Sequence, residues 1–216
     1  MSQPRTFSER FGIFWGWVSP AVDRRIAPLK KQVLDGLGGA VIEIGAGVGS
    51  NFKYYDLSKI QHVTAIEPNT AMHKLLEEEA AKYGFSEGKG NLTILKQAIE
   101  HVSIPSESAD FVVSTLVLCS VTSLNQSVKR VASWLKPGGN IVFVEHVAHK
   151  HGTLGRSLQK SIQKPWAWIG DGCDLVRDTH EVLASEGKLD VKLFGDMRDS
   201  YSLAPPVYGI AIKAKL

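Results

Sequence analysis

Five short apolar runs rich in valine and isoleucine alternate with helical patterns between residues 40 and 147. These runs are continuous rather than alternating apolar with polar, which is typical of parallel strands that are buried on both faces. Right-handed crossovers through the intervening helices then give a doubly wound α/β fold. The predicted strands cover residues 40–45, 62–67, 91–97, 110–118 and 140–147.

The helical segments around this core have recognisable ends. Asn69 is the expected N-cap of a helix that reaches Gly84, and a second helix over 124–135 stops before the sequence Pro-Gly-Gly. The first 36 residues predict two helical pieces that are broken at Ser19-Pro20. We therefore expect an N-terminal helical cap over residues 1–39 and a single α/β domain over 40–216.

The C-terminal third departs from the strand-helix alternation. Residues 151–174 are rich in Gly, Trp and Lys, and a helix is predicted near 175–187. Two further strands, 189–195 and 207–216, are joined by a connection too short for a helical crossover, so they are expected to form an antiparallel pair. The prediction is a seven-stranded, mostly parallel, Rossmann-like sheet with an antiparallel edge strand.

Composition narrows the class of protein only modestly. The 216 residues are 44% hydrophobic and 22% charged, and the net charge of +3 is spread along the chain, so no nucleic-acid partner is expected. Two cysteines, Cys119 and Cys173, do not make a disulfide framework, which fits a cytoplasmic location. The apolar run Phe11–Val18 is shorter than the roughly 20 residues that span a bilayer. It predicts either peripheral membrane contact or, as the favoured reading, a helix that covers a substrate pocket.

A glycine-rich loop follows the first predicted strand, in the sequence "VIEIGAGVGSNFKYY". No Gly-Lys-Ser/Thr follows, so the loop is not a P-loop, and Ser50 occupies the third glycine position of a dinucleotide-binding loop. Glu43 precedes the first glycine, where a carboxylate favours a cation over a phosphate. Glu67 ends the second strand, where a carboxylate can accept hydrogen bonds from ribose hydroxyls. S-adenosylmethionine has the ribose and the positive charge and lacks a phosphate, so it is the expected cofactor.

These features resemble the class I S-adenosylmethionine-dependent methyltransferases, whose pattern is E-x-G-x-G-x-G, an acidic residue after strand two and "LKPGG" before strand five. The stretches "STLVLCSV", "FVEHVA", "DGC" and "PPVYGIAIK" are similar to the methyltransferase-like proteins that include animal alkyl-thiol S-methyltransferases. The resemblance implies a set of residues that bind S-adenosylmethionine: Glu43, Gly45, Ala46, Gly47, Gly49, Glu67, Pro68, Gln97, Ala98, Ile99, Thr115 and Leu116. Ala98 departs from the pattern because many members have an aspartate there.

Catalytic candidates lie near the predicted strand ends. His146, at the end of the fifth strand, is either a base that removes a proton from the acceptor or a histidine hydrogen-bonded at the sheet rim. Asp171 either orients the acceptor or holds a helix start. His149 and His151 lack further ligands at zinc spacing, so no metal is expected.

The resemblance makes S-methylation of a small, apolar thiol the leading hypothesis for function. A thiol near its own pKa needs little help to become a thiolate, which suits a chain without an obvious catalytic dyad. The alternatives are a lipid or quinone-type methyltransferase at a membrane surface and a cofactor-binding scaffold without turnover. A nicotinamide-dependent oxidoreductase is disfavoured by Ser50 and Glu43.

Overall fold

The computed structural model describes residues 7–215 and contains one seven-stranded sheet. Its strands are β1 (Gly39–Ile44), β2 (Ile60–Ile66), β3 (Leu92–Leu95), β4 (Ala109–Thr115), β5 (Leu135–His146), β6 (Leu189–Asp196) and β7 (Pro206–Lys213). The order across the sheet is β3-β2-β1-β4-β5-β7-β6, with β7 antiparallel to both of its neighbours and the other pairs parallel. The predicted fold and its antiparallel edge are therefore confirmed.

Five α-helices accompany the sheet in the described residues: α1 (Phe7–Leu34), α2 (Thr70–Lys82), α3 (Leu124–Trp134), α4 (Leu154–Ile169) and α5 (Thr179–Ser185). Short 3-10 turns cover Phe52–Tyr54 and Glu87–Lys89. The predicted cap on α2 is confirmed because the side chain of Asn69 accepts a hydrogen bond from the amide of Ala71. The first six residues of the predicted N-terminal cap and the last residue of the predicted C-terminal strand lie outside the described residues.

The N-terminal helix corrects one prediction. α1 runs without a break through Pro20, which the sequence predicted as the boundary between two helical pieces. Proline removes one backbone hydrogen bond from a helix, but α1 packs along α2, β5 and β7, and this packing offsets the loss. The approach to α2 is close because a Cβ on Gly12 would lie 2.6 Å from Oδ1 of Asn69.

The extents of α4, β5 and β4 also differ from the prediction. α4 lies in the region where the sequence predicted no element, and β5 begins five residues earlier than expected, at Leu135. β4 ends at Thr115 because Leu116 has a φ of 56°, which is incompatible with an extended strand.

The buried core lies on both faces of the sheet. One cluster packs α3 and α5 against the sheet and includes Trp134. The other packs α1 and α2 against the opposite face. Because both faces are covered, the carboxyl ends of the parallel strands are left as the place for a ligand. No helix in residues 7–215 is both long enough and apolar enough to cross a bilayer.

Candidate active site

Two glycines of the loop after β1 are needed for different physical reasons. Gly45 and Gly47 have φ values of 58° and 57°, which glycine adopts at little cost. A Cβ at Gly45 would lie 2.1 Å from a methyl group of Val117, so this glycine is required by packing. A Cβ at Gly47 would meet nothing closer than the indole nitrogen of Trp15, at 3.7 Å. Gly47 is thus the glycine whose backbone a ligand can approach.

Glu67 joins the end of β2 to this loop. One of its carboxylate oxygens accepts a hydrogen bond from the amide of Gly47, and the other accepts from the amide of Asn69, both at 2.8 Å. Burial raises the pKa of Glu67 above its ordinary value. Each carboxylate oxygen still has a lone pair for a further donor, so this geometry is compatible with the predicted contact to ribose hydroxyls.

Glu43 is a buried carboxylate at the end of β1, with only 2% of its surface exposed. The hydroxyl of Tyr55 donates to it at 2.6 Å and the side-chain amide of Asn51 donates at 2.9 Å. Burial nevertheless raises the pKa of Glu43 to about 7. A cation beside this carboxylate would lower its pKa again, as expected for a site that receives a positively charged ligand.

The helix α1 brings a second charged group to the same pocket. The ammonium group of Lys30 donates to Asp23 at 2.7 Å, and Lys53 pairs with the same carboxylate. Asp23 and Lys30 are both almost fully buried and, with Trp15, they line the pocket opposite the glycine loop. A ligand with an ammonium and a carboxylate at one end fits such a set of opposite charges.

The structure brings half of the predicted cofactor residues into this pocket: Glu43, Gly45, Ala46, Gly47, Thr115 and Leu116. Gly49 instead faces α2, where a Cβ would lie 3.2 Å from Leu76. Glu67 and Pro68 follow β2, and Gln97 and Ala98 follow β3, so these residues lie at the same edge of the sheet. The side chain of Ile99 lies in the core.

The turn after β4 is held by a residue that the sequence analysis did not select. Glu145 is fully buried in β5, and one of its oxygens accepts from Ser114, from the amide of Val117 and from the amide of Leu118. This turn contains Leu116, whose positive φ is unusual for a residue with a branched side chain. Glu145 therefore fixes a strained turn that forms one wall of the pocket.

Beyond this turn, His146 meets both cysteines. Its Nε2 atom lies 2.8 Å from the sulfur of Cys173, and the two sulfur atoms of Cys119 and Cys173 are 3.7 Å apart. The indole N–H of Trp166 donates to the sulfur of Cys173 at 3.2 Å. Burial lowers the pKa of His146, but the contact with Cys173 and the charges of Glu145 and Asp174 together outweigh burial, and the pKa is raised overall. All three of the residues Cys119, His146 and Cys173 are buried.

Asp171 lies in the turn after α4 and has a φ of 49°. Its charge is one of the weaker influences on Glu67, whose pKa is raised mainly by burial. Both ring nitrogens of His149 face backbone carbonyl oxygens, which only accept: Nδ1 lies 2.6 Å from that of Arg198 and Nε2 lies 2.8 Å from that of Ser202. Because both nitrogens are engaged, His149 is not available to a metal together with His151.

Sequence reasoning missed three charged or polar residues that line the pocket, Asp23, Lys30 and Asn51, and Glu145, which holds the turn behind it. Asn51 was detectable, because it follows the glycine loop directly and its amide bridges Glu43 and the hydroxyl of Thr115. Asp23 and Lys30 carried no signal of their own, since a helix of that composition is expected to expose its charges to solvent.

Comparison with known proteins identifies the family. The family model for a methyltransferase domain matches residues 42–143. The human thiol S-methyltransferase TMT1A is 32% identical over 176 residues, which cover 81% of this chain and 70% of that protein. The human thiol S-methyltransferase TMT1B is 32% identical over 170 residues, covering 75% of this chain and 68% of that protein.

The fold has solved counterparts. The crystal structure of a putative S-adenosylmethionine-dependent methyltransferase from Methanococcus maripaludis superposes with a TM-score of 0.65, covers all of this chain and 97% of the other, and is 15% identical. At that identity the likeness shows the fold alone. The two human relatives are more informative, since each match extends over more than two thirds of the relative. The chain therefore belongs to the family of the thiol S-methyltransferases TMT1A and TMT1B, and it is an S-adenosylmethionine-dependent methyltransferase of small molecules.

Proposed function

We propose that the acceptor is a small, apolar thiol, which this protein converts to its methyl thioether. The observation that carries the proposal is the composition of the cluster beyond the turn at Leu116, which consists of two buried thiols, a buried imidazole and a half-buried indole. These groups suit a neutral, polarisable acceptor rather than a charged one. The names of the two human relatives, both thiol S-methyltransferases, support the same acceptor class.

The cofactor end of the site is assigned as follows. The backbone of Gly47 and its neighbours faces the cofactor, Glu67 accepts from the ribose, and residues 97–99 flank the adenine. Glu43 and Asp23 face the positively charged end of the methionine portion, and Lys30 faces its carboxylate. This assignment is supported by the buried charges opposite the glycine loop and by the open backbone at Gly47.

S-adenosylmethionine supplies a methyl group that is already activated by its sulfonium. The protein therefore needs chiefly to align the acceptor and to exclude water. In this proposal residues 1–39 act as a cap over the catalytic domain, 40–216, with Trp15 of α1 lying over the glycine loop. The strained turn at Leu116, fixed by Glu145, sets the position of the wall that separates cofactor from acceptor.

In this proposal His146 and Asp171 belong to the acceptor end. The Nε2 atom of His146 is engaged by Cys173, so a role as base would require this contact to break. His146 thus acts as part of the thiol and imidazole wall. Asp171 lies in the turn that carries Cys173, two residues away, and in this proposal it positions that turn.

A turnover assay tests the proposed acceptor. Purified protein is incubated with methyl-labelled S-adenosylmethionine and matched alkyl thiols, phenols and amines of equal chain length. We expect labelled product from the thiols, with KM falling as the alkyl chain lengthens. Turnover of a phenol or an amine in preference to every thiol would overturn the proposal. Binding of S-adenosylhomocysteine without any product would instead support a scaffold.

A specific observation favours membrane-surface contact as an additional property. α4 is inverted: it buries Arg156 and Gln159 and leaves Leu154 and Leu158 on its exposed side, 90% and 54% exposed. Arg156 is neutralised by a bidentate ion pair with Asp178, which makes its burial acceptable. An exposed apolar helix face of this kind is typical of interfacial helices. A lipid or quinone acceptor at a membrane surface is the second candidate function that this face favours.

Co-sedimentation with vesicles of phosphatidylcholine and phosphatidylserine tests this contact. We expect the protein to sediment with the vesicles, and the double variant L154S/L158S to sediment much less. Leu193→Ser, which changes an exposed leucine on β6, is the matched control and should behave as the wild type. Equal sedimentation of all three proteins would contradict a role for α4.

A further inference from the structure

Three side chains from separate parts of the chain converge at one buried point. Cys119 follows the turn after β4, His146 ends β5, and Cys173 lies in the turn after α4. One ligand atom from each of them lies within 4.8 Å of the other two. The sequence separates Cys119 from Cys173 by more than fifty residues, so this convergence is a product of the fold.

The spacing matches a tetrahedral zinc site. With Zn–S bonds of about 2.3 Å, two coordinating sulfur atoms are about 3.8 Å apart. The sulfur atoms of Cys119 and Cys173 are 3.7 Å apart. A coordinating imidazole nitrogen lies about 3.6 Å from such a sulfur, so His146, now at 2.8 Å from Cys173, needs to move by about 0.8 Å.

The chemistry of the donors also favours zinc. Thiolate and imidazole ligands select Zn²⁺ over Mg²⁺ or Ca²⁺, which prefer oxygen. When both thiols lose their protons to solvent and water holds the fourth position, two thiolates and a neutral imidazole form a complex with Zn²⁺ that has no net charge. A neutral complex can be buried at low cost, and all three ligands are buried here. The indole N–H of Trp166 supplies an outer-shell hydrogen bond to Cys173.

We propose that Cys119, His146 and Cys173 bind one Zn²⁺ ion and that the acceptor thiol takes the fourth position. No fourth His, Cys, Asp or Glu ligand joins this cluster among residues 7–215. Three protein ligands with one open position are typical of catalytic zinc rather than structural zinc. Coordination of the acceptor rests on the proposed function, whereas the binding of zinc does not.

Coordination of the acceptor thiol to zinc requires no further reactant. A water molecule leaves the fourth position, the acceptor sulfur forms a bond to Zn²⁺, and the thiol proton passes to solvent water. Coordination to zinc deprotonates a thiol outright at neutral pH. The site would thereby supply the thiolate that the reaction consumes, and no separate base is needed.

Metal binding is tested without any assay of methyl transfer. Protein purified without chelators, under reducing conditions, is analysed for metal content, and metal-free protein is titrated with Co²⁺ as a spectroscopic substitute for zinc. We expect one zinc per chain and a sulfur-to-cobalt charge-transfer band. Cys173→Ser and His146→Gln should weaken Co²⁺ binding at least tenfold. His151→Gln, at an exposed histidine, is the matched control and should bind as the wild type does.

Different results would contradict zinc binding and acceptor coordination. Metal-free protein that remains unable to bind Co²⁺ while fully reduced would overturn the proposal, and so would a Cys119–Cys173 disulfide in protein purified under reducing conditions. The fourth position is then tested with hexanethiol as the probe, which should change the Co²⁺ spectrum. An unchanged spectrum would refute acceptor coordination. Absence of thiol turnover with zinc bound would refute the proposed function but leave the metal site standing.

Discussion

The two ends of the active site are built from opposite kinds of atoms. The cofactor end gathers oxygen and nitrogen charges, namely Glu43, Asp23 and Lys30, around a glycine backbone. The proposed acceptor end gathers sulfur and imidazole atoms from Cys119, His146 and Cys173. Both ends are buried, so the difference is one of chemistry rather than of exposure. Charged oxygen and nitrogen groups suit the charged methionine portion of the cofactor, whereas polarisable sulfur and imidazole groups suit a sulfur acceptor.

The two ends also differ in how the chain assembles them. Most of the glycine-loop side comes from one continuous stretch, which includes Glu43, Gly47 and Asn51. The acceptor end depends on three segments that are far apart in sequence. Residues of a local motif are close together in any conformation of the chain because they are neighbours in sequence. A cluster of residues that are far apart in sequence exists only once the sheet has formed. If the two ends are as separate in function as they are in chemistry, a substitution at one end should leave binding at the other end unchanged.

The largest expected effect belongs to Gly47→Val at the cofactor end. A side chain there would point toward the pocket and Trp15, and a β-branched residue is strained at a φ of 57°. We expect affinity for S-adenosylhomocysteine, measured by calorimetry, to fall more than a hundredfold, which is about 3 kcal/mol. Gly88→Val, at a glycine with open space around its Cβ position and an ordinary φ, is the control and should bind normally. Wild-type affinity in the Gly47 variant would show that the cofactor does not approach this backbone.

The next effect is that of Glu43→Gln. Losing the charge that faces the cofactor's cationic end should weaken S-adenosylhomocysteine binding about tenfold to a hundredfold, because hydrogen bonds to charged groups are worth about 1.5–3 kcal/mol. Glu77→Gln, at an exposed ion pair with Lys96, is the control. An equal loss in both variants would point to a general change in charge and not to a contact.

The same substitution should act on stability in the opposite direction. Because the pKa of Glu43 is raised to about 7 in the folded chain, the folded state holds a proton that the unfolded state loses near 4.5. The free energy of unfolding therefore falls as pH rises between those values, and the fall is complete above pH 7. Without cofactor, Glu43→Gln should melt at a higher temperature than the wild type above pH 7. A lower melting temperature there would show that the ionised carboxylate stabilises the fold.

A smaller effect is expected from pH alone. Cation binding requires ionised Glu43, so the affinity of the wild type for S-adenosylhomocysteine should fall about tenfold from pH 8 to pH 6, given a pKa of about 7. The other titratable groups that influence Glu43 are Tyr55, Lys30 and Glu67. All three remain in Glu43→Gln, so subtracting the pH profile of this variant isolates Glu43. Parallel profiles for the two proteins would assign the pH dependence to another group.

The sequence predicted the cofactor end better than the acceptor end, for a physical reason. Val- and Ile-rich runs, the capped start of α2 and the glycine loop are local signals, and each of them was confirmed in the fold. The break at Pro20 was wrong because tertiary packing of α1 outweighs the local cost of a proline. The early end of β4 was missed because the positive φ of Leu116 is imposed by contacts to Glu145, which lies on another strand.

The hydrophobic pattern could not predict which face of helix α4 is buried. A periodic apolar face is present at Leu154, Leu158 and Ile169, but that face is exposed, and the buried face carries Arg156 and Gln159. A reading that places apolar residues inside cannot anticipate an inverted helix. The burial of Arg156 depends on Asp178 and on backbone carbonyl groups that only the folded chain brings near. The cluster of Cys119, His146 and Cys173 escaped notice for the same reason.

The smallest expected effect tests most directly whether the cofactor end and the proposed acceptor end are independent. Cys173→Ser should change the affinity for S-adenosylhomocysteine less than about twofold, because Cys173 contacts Cys119, His146 and Trp166, and it does not line the charged pocket. The same variant should raise the KM for an alkyl thiol by a much larger factor, because it removes a sulfur atom from the cluster that is proposed to bind the acceptor. Calorimetry with S-adenosylhomocysteine and steady-state kinetics with hexanethiol measure the two quantities on one protein preparation. A loss of cofactor affinity comparable to that of Glu43→Gln would mean that the two ends form one coupled unit, and the separation drawn from their chemistry would fail.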